Sequence, residues 1–398
     1  MALLSIWTSN PKAVTSLSIE QIVATAGDGK LRDESDCSSE IRRFFSQVSS
    51  EKLAEYCDHC LTKAFPKSGL VLQDLVNELG RRLDYKVANG RYQGTASAVG
   101  NDGLWCSPEN HDLLVEVKTT DAYRISLDTI AAYRDKLFAA RQIETSNSML
   151  IVVGREDTGE LEAQIRGSRY AWGMRLISID ALVRLIKIKE NTEDPTTGAK
   201  IRSLLIPMEY TRVDALIDVL FTAAKDVEAA SDLVATGEQV SDDDPRSDLT
   251  DPSLLQAKRE EILAAFSKQI GAKLIKKSRA LYWNAEHDMR IAVTLSKRYV
   301  GKGKAPYWYA YHPSWDTFLG DATSSHLILG CMDLSLAFAV SVEELRSRLD
   351  ELNRTTYDDG TFYWHLKILE GRDGYSLQMP KSGKHLALEK HILRFTER

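Results

Sequence analysis

The chain has 398 residues, of which 43% are hydrophobic and 27% are charged, as in ordinary soluble globular proteins. This length is sufficient for two or three domains, each with its own core. The formal net charge of −6 excludes a uniformly basic surface of the kind that coats nucleic acid, while a local basic patch stays compatible with it.

Cysteine usage and hydropathy point to the cytoplasm. The five cysteines are an odd number scattered over a long chain, so no disulfide framework is predicted and a reducing compartment fits best. The start of the chain lacks the basic region of a signal peptide, and no later segment has the length of a membrane span. We therefore expect a cytoplasmic protein with no membrane partner.

The first half of the chain predicts alternating helices and strands. Residues 1–50 predict a small helical or irregular extension, to which we assign no chemistry. A helix is expected near 50–64, and the next helix has an apolar stripe at three- and four-residue steps. Three strands are expected next, at 85–88, 96–105 and 113–118. They are followed by a helix at 126–144, a buried strand at 148–154, a helix at 157–167, a strand at 175–178 and a helix at 179–189.

Residues 226–252 are rich in Asp, Ser and Thr and nearly devoid of basic residues, which predicts a flexible acidic linker. The linker separates a domain at 51–225 from a second domain at 253–398. The second domain opens with a helix at 253–270 and then alternates apolar and polar residues, as at Tyr307, Tyr309 and Tyr311. It is net basic, and we expect it to be β-rich.

A charged pair interrupts the strand predicted at 113–118. Glu116 and Lys118 share one face of this otherwise apolar strand, and such charges are costly to bury unless they are paired, bind a metal or do chemistry. Asp102 lies upstream, in an Asp-Gly turn next to the preceding strand. An exposed hairpin with a simple ion pair is the structural alternative.

Asp102 followed by Glu116-Val117-Lys118 resembles the catalytic core of the PD-(D/E)xK nuclease superfamily, although Asn101 stands where the family name has proline. The predicted order of helix, three strands, helix and strand matches that family's core. The resemblance implies an α/β fold with a restriction-endonuclease-like mixed sheet flanked by helices, beside a second β-rich α+β domain. It also implies cleavage of DNA with Mg²⁺, for which Mn²⁺ can substitute.

The resemblance assigns roles to individual residues. Asp102, Glu116 and the main-chain carbonyl of Val117 would bind the metal, and Lys118 would act on the attacking water. Glu78, on the preceding helix, would be the extra acid that some members use, while Asp74 is expected to face away; a solvated glutamate is an equal alternative for Glu78. Asp112 competes with Asp102, but it lies about 13 Å from Glu116 along an extended strand.

A zinc site is a weaker hypothesis for this half of the chain. Cysteine and histidine supply the right ligand types and number, but a lone CxxC within a helical pattern more often consists of two half-buried small residues. The candidate ligands are Cys57 and Cys60 of the segment Cys57-Asp58-His59-Cys60, together with Cys106 and His111.

Groups of basic residues bracket aromatic residues in the second domain. This combination suits nucleic-acid binding, which needs cations for phosphates and flat rings for bases. The alternative is a core tyrosine strand with solvated lysines. The candidate nucleic-acid-binding residues are Lys276, Lys277, Lys297, Arg298, Lys302, Lys304, Tyr307, Trp308 and Tyr309.

These patterns favour a Mg²⁺-dependent endonuclease of a restriction or antiviral-defence type, whose second domain reads DNA. A homodimer is expected, because duplex cleavage usually needs two active sites. One alternative is a low-specificity nuclease that a ligand, a modified base or a protein triggers through the second domain. The other is an inactive nucleic-acid-binding protein on a nuclease-like fold.

Overall fold

The computed structural model describes residues 2–63, 65–93, 100–119, 125–154, 159–192, 197–207, 213, 217, 252–299, 305–356, 360, 362–371 and 374–395. The chain divides into two compact units, Met1–Ala223 and Ala224–Arg398. The acidic linker predicted at 226–252 lies outside the described residues, apart from Pro252 at its end. Within the described ranges, no helix combines the length and the apolar character needed to cross a bilayer.

The first unit begins with four helices: α1 Ala2–Ser9, α2 Pro11–Thr15, α3 Ile19–Thr25 and α4 Asp36–Phe45. Their apolar side chains form a core in which the rings of Trp7 and Phe44 meet edge to face, with centroids 5.2 Å apart. Glu40 of α4 is 1% exposed, and its carboxylate accepts hydrogen bonds from Leu4 N (3.0 Å) and Gly27 N (2.7 Å). Residues 1–50 are part of the first unit rather than an extension, and Arg42 of α4 reaches outside this segment to bind Asp74.

The rest of this unit follows the predicted order of elements as far as the helix that ends at Asn191, and the short helix at 197–204 was not predicted. The structure confirms the α/β alternation, with boundaries within a few residues of those expected. The strand predicted at 96–105 lies partly outside the described residues, and within them it begins at Gly103. The elements are α5 Ser50–Thr62, α6 Ser68–Arg82, β1 Lys86–Asn89, β2 Gly103–Cys106, β3 Asp112–Lys118, α7 Leu127–Ala139, β4 Asn147–Val153, α8 Gly159–Arg166, β5 Met174–Ser178, α9 Ile179–Asn191 and α10 Thr197–Leu204.

The five strands form one mixed sheet in the order β1-β2-β3-β4-β5. Strands β1, β2 and β3 pair antiparallel, whereas β3, β4 and β5 pair parallel. Strand β3 is central, and Leu113, Leu114 and Val115 are almost fully buried, as a strand covered on both faces requires. The polar end of β3, from Glu116 to Lys118, pairs with Ile151 to Val153 of β4.

The second unit contains two sheets and three α-helices within its described residues. The α-helices and strands are α11 Pro252–Ile270, β6 Ile275–Lys276, β7 Leu281–Trp283, β8 Met289–Ser296, β9 Tyr307–Tyr311, α12 Pro313–Gly320, β10 Ser324–Cys331, β11 Leu336–Ser341, α13 Val342–Arg346, β12 Arg354–Thr356, β13 Phe362–Gly371, β14 Gly374–Met379, β15 Lys384–Ala387 and β16 Ile392–Arg394. One sheet has the strand order β16-β11-β10-β8-β7-β6; the other has the order β12-β13-β14-β15, with β9 added to β13.

The buried carboxylate of Glu40 yields a stability prediction. In Glu40→Gln, the side-chain NH₂ must face one of the two main-chain N–H groups, which places two donors against each other. We expect the free energy of unfolding to fall by about 1 to 3 kcal/mol, measured by urea denaturation. The exposed Glu20→Gln is the matched control, and equal stability of the two variants would contradict this account.

Candidate active site

Asp102 is placed at the site by main-chain hydrogen bonds with β3. It directly precedes β2, and its N–H donates to the carbonyl of Val115 at 3.1 Å. Its carboxylate turns toward the polar end of β3, where Oδ2 accepts a hydrogen bond from Val117 N at 2.7 Å. The first acid and the Glu-Val-Lys segment, 14 residues apart in the sequence, are therefore neighbours in the sheet.

Glu116 and Lys118 lie together on one face of β3, as the two-residue strand period predicts. Lys118 Nζ donates to Glu116 Oε1 at 2.6 Å. The Glu116 side chain is 11% exposed and that of Lys118 is 33% exposed. Glu116 Oε2 is fully buried and has no hydrogen-bond partner in the part of the chain that the structure describes. The ion pair thus satisfies one carboxylate oxygen of Glu116 and leaves the other available to a further ligand.

The electrostatics of Asp102 follow from this crowding. The pKa of Asp102 is raised to about 7, because burial and the Glu116 carboxylate together outweigh the opposing effects of the Val117 N–H and the Lys118 ammonium. The positive charge of Lys118 does not offset the cost of placing two buried carboxylates together. A bound cation would remove that cost, because it favours the ionised form of both acids.

The donor set fits a hard divalent cation. Two carboxylates and a carbonyl are the oxygen ligands that Mg²⁺ accepts, with water completing its shell. The N–H and C=O of one strand residue point to the same edge of a strand. The Val117 N–H points to Asp102, whereas the carbonyl of the next residue, Lys118, points to the opposite edge and accepts from Gly154 N near β4. The Val117 carbonyl therefore lies on the same edge as Asp102. The residues predicted to bind metal therefore face one another.

The cation would be held by few side chains. Among the described residues, no three His, Cys, Asp or Glu side chains come together in a way that could hold a metal. A cation at Asp102 and Glu116 would rely on these two side chains, on main-chain oxygen and on water. Such a sparse ligand set is typical of Mg²⁺, which keeps several of its water molecules.

Asp112 does not take part in this cluster. Its Oδ2 accepts a hydrogen bond from Glu144 N at 2.7 Å, and Asp112 is 4% exposed at the start of β3. The neighbouring His111 binds Ser146 and Ser148 through its two ring nitrogens, each at 2.8 Å. This end of β3 is thus occupied by contacts to the segment before β4, and Asp102 is the acid that reaches Glu116.

The prediction that Glu78 is an extra metal ligand needs correction. Glu78 is 4% exposed, and its carboxylate accepts from Arg82 Nε at 3.0 Å and from Arg81 at 3.4 Å. Arg82 also donates to the carbonyls of Phe45, Ser46 and Val48, so Glu78 belongs to the packing of α4 on α6. Glu78 is an ion-pair partner of two arginines.

Asp74, which was expected to face away from the apolar stripe of this helix, is also buried and paired. It is 1% exposed, accepts a hydrogen bond from Arg42 Nε at 2.9 Å and also binds the hydroxyl of Tyr92. The α6 side chains that reach the site are Gln73 and Asn77, which bind the main chain of Asp102. Their four-residue spacing in an apolar helix was the sequence signal for a polar contact on one buried face.

The zinc hypothesis is wrong for the described residues. Cys57 and Cys60 are buried within α5, and burial raises the pKa of both thiols, that of Cys60 to about 12. His111 is bound to two serines, and all five cysteines are free thiols. These candidate ligands do not come together, since no three His, Cys, Asp or Glu side chains of the described residues are grouped in a way that could hold a metal.

Two of the predicted nucleic-acid-binding residues belong to the core of the second unit. Tyr307 and Tyr309 are 0% exposed, and their hydroxyls donate to Asp333 at 2.9 Å and to the carbonyl of Gly330 at 3.1 Å. Arg298 pairs with Asp333 and Glu370, each at 2.6 Å. The tyrosine strand is therefore a core strand, and the charge of Arg298 is balanced by two acids.

The other predicted residues of this set differ in their surroundings. Trp308 is half-buried on the opposite face of β9, and its Nε1 donates to His365 Nδ1 at 3.0 Å. Lys277 Nζ lies 4.4 Å from the ring centroid of Trp283. Lys276 and Lys297 are partly exposed, and Lys302 and Lys304 lie outside the described residues. Nucleic-acid contact by these residues stays a prediction.

Comparisons with known proteins add little to this geometry. No family model and no curated protein matches the chain. One match among solved structures is a complex of the restriction endonuclease PspGI with substrate DNA, at 14% identity, covering 57% of this chain and 94% of that chain, with a TM-score of 0.23. A TM-score this low supports no structural argument, so a functional proposal depends on the site itself.

The raised pKa of Asp102 predicts how stability varies with pH. The folded protein holds a proton on Asp102 that the unfolded chain, with an ordinary pKa near 3.8, releases. The stability of the metal-free protein should therefore fall as pH rises from about 4 to about 7 through this group. We expect Asp102→Asn to be the more stable protein by about 2 to 4 kcal/mol at pH 8 and close to wild type near pH 4.

Urea denaturation in the presence of EDTA measures this difference. Asp28→Asn is the matched control, because Asp28 is nearly half exposed and lies on the surface of the same unit. A stability difference between wild type and Asp102→Asn that does not change between pH 4 and pH 8 would contradict the raised pKa.

Proposed function

We propose that this chain is a Mg²⁺-dependent endonuclease of the PD-(D/E)xK type that hydrolyses phosphodiester bonds in DNA. One observation carries the proposal: two neighbouring, largely buried carboxylates, one with an unsatisfied oxygen, lie beside a lysine at the polar end of a central strand. Structural ion pairs match one base with one acid, whereas this site has an excess of buried negative charge that a cation would balance.

Each residue has a chemical task in this proposal. Asp102, Glu116 and the Val117 carbonyl hold Mg²⁺ or Mn²⁺, which supplies an activated water and stabilises the charge that develops on the phosphate. Lys118 is one-third exposed, so its ammonium can orient the attacking water and neutralise a phosphate oxygen in the transition state. The Lys118–Glu116 contact holds the ammonium beside the site before substrate binds.

The biological role in this proposal is restriction or antiviral defence, with the second unit reading DNA and a homodimer providing two active sites for a duplex. Trp308 and Lys277, which are part-exposed, are among the described residues of the second unit that fit DNA contact. The competing role is that of a low-specificity nuclease whose activity is switched on when a ligand or a modified base binds to the second unit. The pattern of cleavage products separates the two.

Substitution of Lys118 tests the site. Plasmid DNA is incubated with Mg²⁺ and wild type, Lys118→Ala, or the control Lys86→Ala, an exposed lysine on β1. We expect wild type and Lys86→Ala to cut, and Lys118→Ala to be slower by about 100-fold or more. Cleavage that persists in Lys118→Ala, or that survives EDTA in wild type, would refute the site. Discrete fragments that depend on DNA methylation favour restriction, and a smear favours the low-specificity role.

Cation binding can be measured without cleavage. Ca²⁺ prefers the same oxygen ligands, and a cation at ten times its Kd should stabilise the folded wild type by about 1.4 kcal/mol. Glu116→Gln removes a negative charge from the site, so we expect it to lose this stabilisation. Glu55→Gln, at an exposed ion pair on α5, should retain it. Equal stabilisation of all three proteins would place the cation elsewhere.

A further inference from the structure

Helix α6 contributes two amide side chains, Gln73 and Asn77, to the same site. They are 3% and 1% exposed, although an amide is costly to bury without hydrogen bonds. We propose that Gln73 and Asn77 are positioning residues that hold Asp102 in the orientation needed for cation binding. This inference rests on the proposed function, since it assigns to α6 a role in that site.

The two amides converge on one atom, the main-chain carbonyl oxygen of Asp102. Gln73 Nε2 donates to it at 3.0 Å and Asn77 Nδ2 at 2.9 Å. Gly90 N, at the end of β1, donates to the same oxygen at 2.9 Å. A carbonyl oxygen has two lone pairs, so two donors are enough to satisfy it. This oxygen accepts from three donors, two on α6 and one at the end of β1. The third donor is not needed to satisfy the oxygen, but it further restricts the position of the Asp102 peptide group.

A second hydrogen bond fixes the Asn77 amide. Its Oδ1 accepts from the indole Nε1 of Trp105 at 2.9 Å, so its NH₂ group must face Asp102. Trp105 is 0% exposed and packs against Tyr85, with ring centroids 5.4 Å apart. A Cβ atom on Gly103 would lie 2.2 Å from Asn77 Oδ1, so the contact also requires glycine at this position. Trp105 and Gly103 therefore fix the orientation of the Asn77 amide that donates to Asp102.

The consequence for the site is geometric. With its carbonyl held by α6 and its N–H bound to Val115, Asp102 has both main-chain polar groups fixed. Its carboxylate then meets Val117 N, and this brings it beside Glu116 despite the repulsion between the two acids. The helix therefore contributes donors that orient a metal-binding acid, in place of the acidic ligand expected at Glu78.

Partners that orient metal ligands typically contribute about 10- to 100-fold to metal affinity. We expect a loss of that size in Asn77→Asp, which keeps an acceptor for Trp105 and turns an oxygen toward the Asp102 carbonyl. Gln73→Met keeps the length of the side chain and removes the donor, so a milder loss is expected. Neither residue donates to a carboxylate oxygen of Asp102 or Glu116, and the proposed effect is therefore indirect.

The test uses the full chain and Mn²⁺ as the probe, with bound Mn²⁺ measured by electron paramagnetic resonance. Gln164→Met is the matched control, because Gln164 holds the main chain of Ile125 in a similar way, donating to its carbonyl at 2.7 Å and accepting from its N–H at 3.2 Å. We expect weaker Mn²⁺ binding in Asn77→Asp and Gln73→Met and unchanged binding in Gln164→Met. Wild-type affinity in the first two variants would overturn the proposal.

Amide hydrogen exchange of Val117 provides a readout that needs neither metal nor DNA. Its N–H is bound by the Asp102 carboxylate, so a displaced Asp102 should speed its exchange by about tenfold while Val152 on β4 exchanges as in wild type. Unchanged exchange at Val117 would overturn the positioning role. If wild type neither binds Mn²⁺ nor cuts DNA while the variants speed Val117 exchange, the proposed nuclease fails and the positioning of Asp102 stands.

Discussion

The first unit depends on one constraint: the carboxylates of Asp102 and Glu116 lie close together where water has little access. Asp102 and Glu116 repel, and burial deprives both of solvent. Such a pair persists only where the surrounding structure determines its position. The surroundings here are the Val117 N–H, the Lys118 ammonium and the amides of α6, each attached to a regular element with its own buried apolar face. Functional geometry and fold stability are therefore coupled.

The elements behind the site are joined by charged groups as well as by apolar packing. Arg82 binds Glu78 and three carbonyls near the end of α4, and Ser50 of α5 binds Glu190 of α9 at 2.5 Å. Lys189 of α9 in turn binds the carbonyl of Arg82 at 2.5 Å. The energetic cost of burying these groups is offset because each is paired. Their directional hydrogen bonds fix the orientation of the helices relative to β3. Residues 1–50, for which the sequence indicated no chemistry, supply part of this support.

In the second unit, strand β9 divides its aromatic residues between the core and the opposite face of the sheet. Its aromatic strand alternates, so Tyr307, Tyr309 and Tyr311 face the core with bound hydroxyls while Trp308 faces the other side. A tyrosine ring and hydroxyl can pack in a core or bind a ligand. The sequence alone therefore does not show which of the two roles a tyrosine has. Any recognition by this strand therefore belongs to the face of Trp308.

The order and type of the elements from α5 to α9 were determined by the sequence, because apolar periodicity and turn residues act locally. The membership of Asp102, Glu116 and Lys118 in one cluster was also predictable, since strand period and a hairpin connection constrain it. The roles of Glu78, Asp74, Gln73 and Asn77 were decided only by tertiary structure. All four lie on one helix, and the partner that each meets depends on how α6 is rotated against α4 and β2. That rotation is set by long-range packing, which no local pattern encodes.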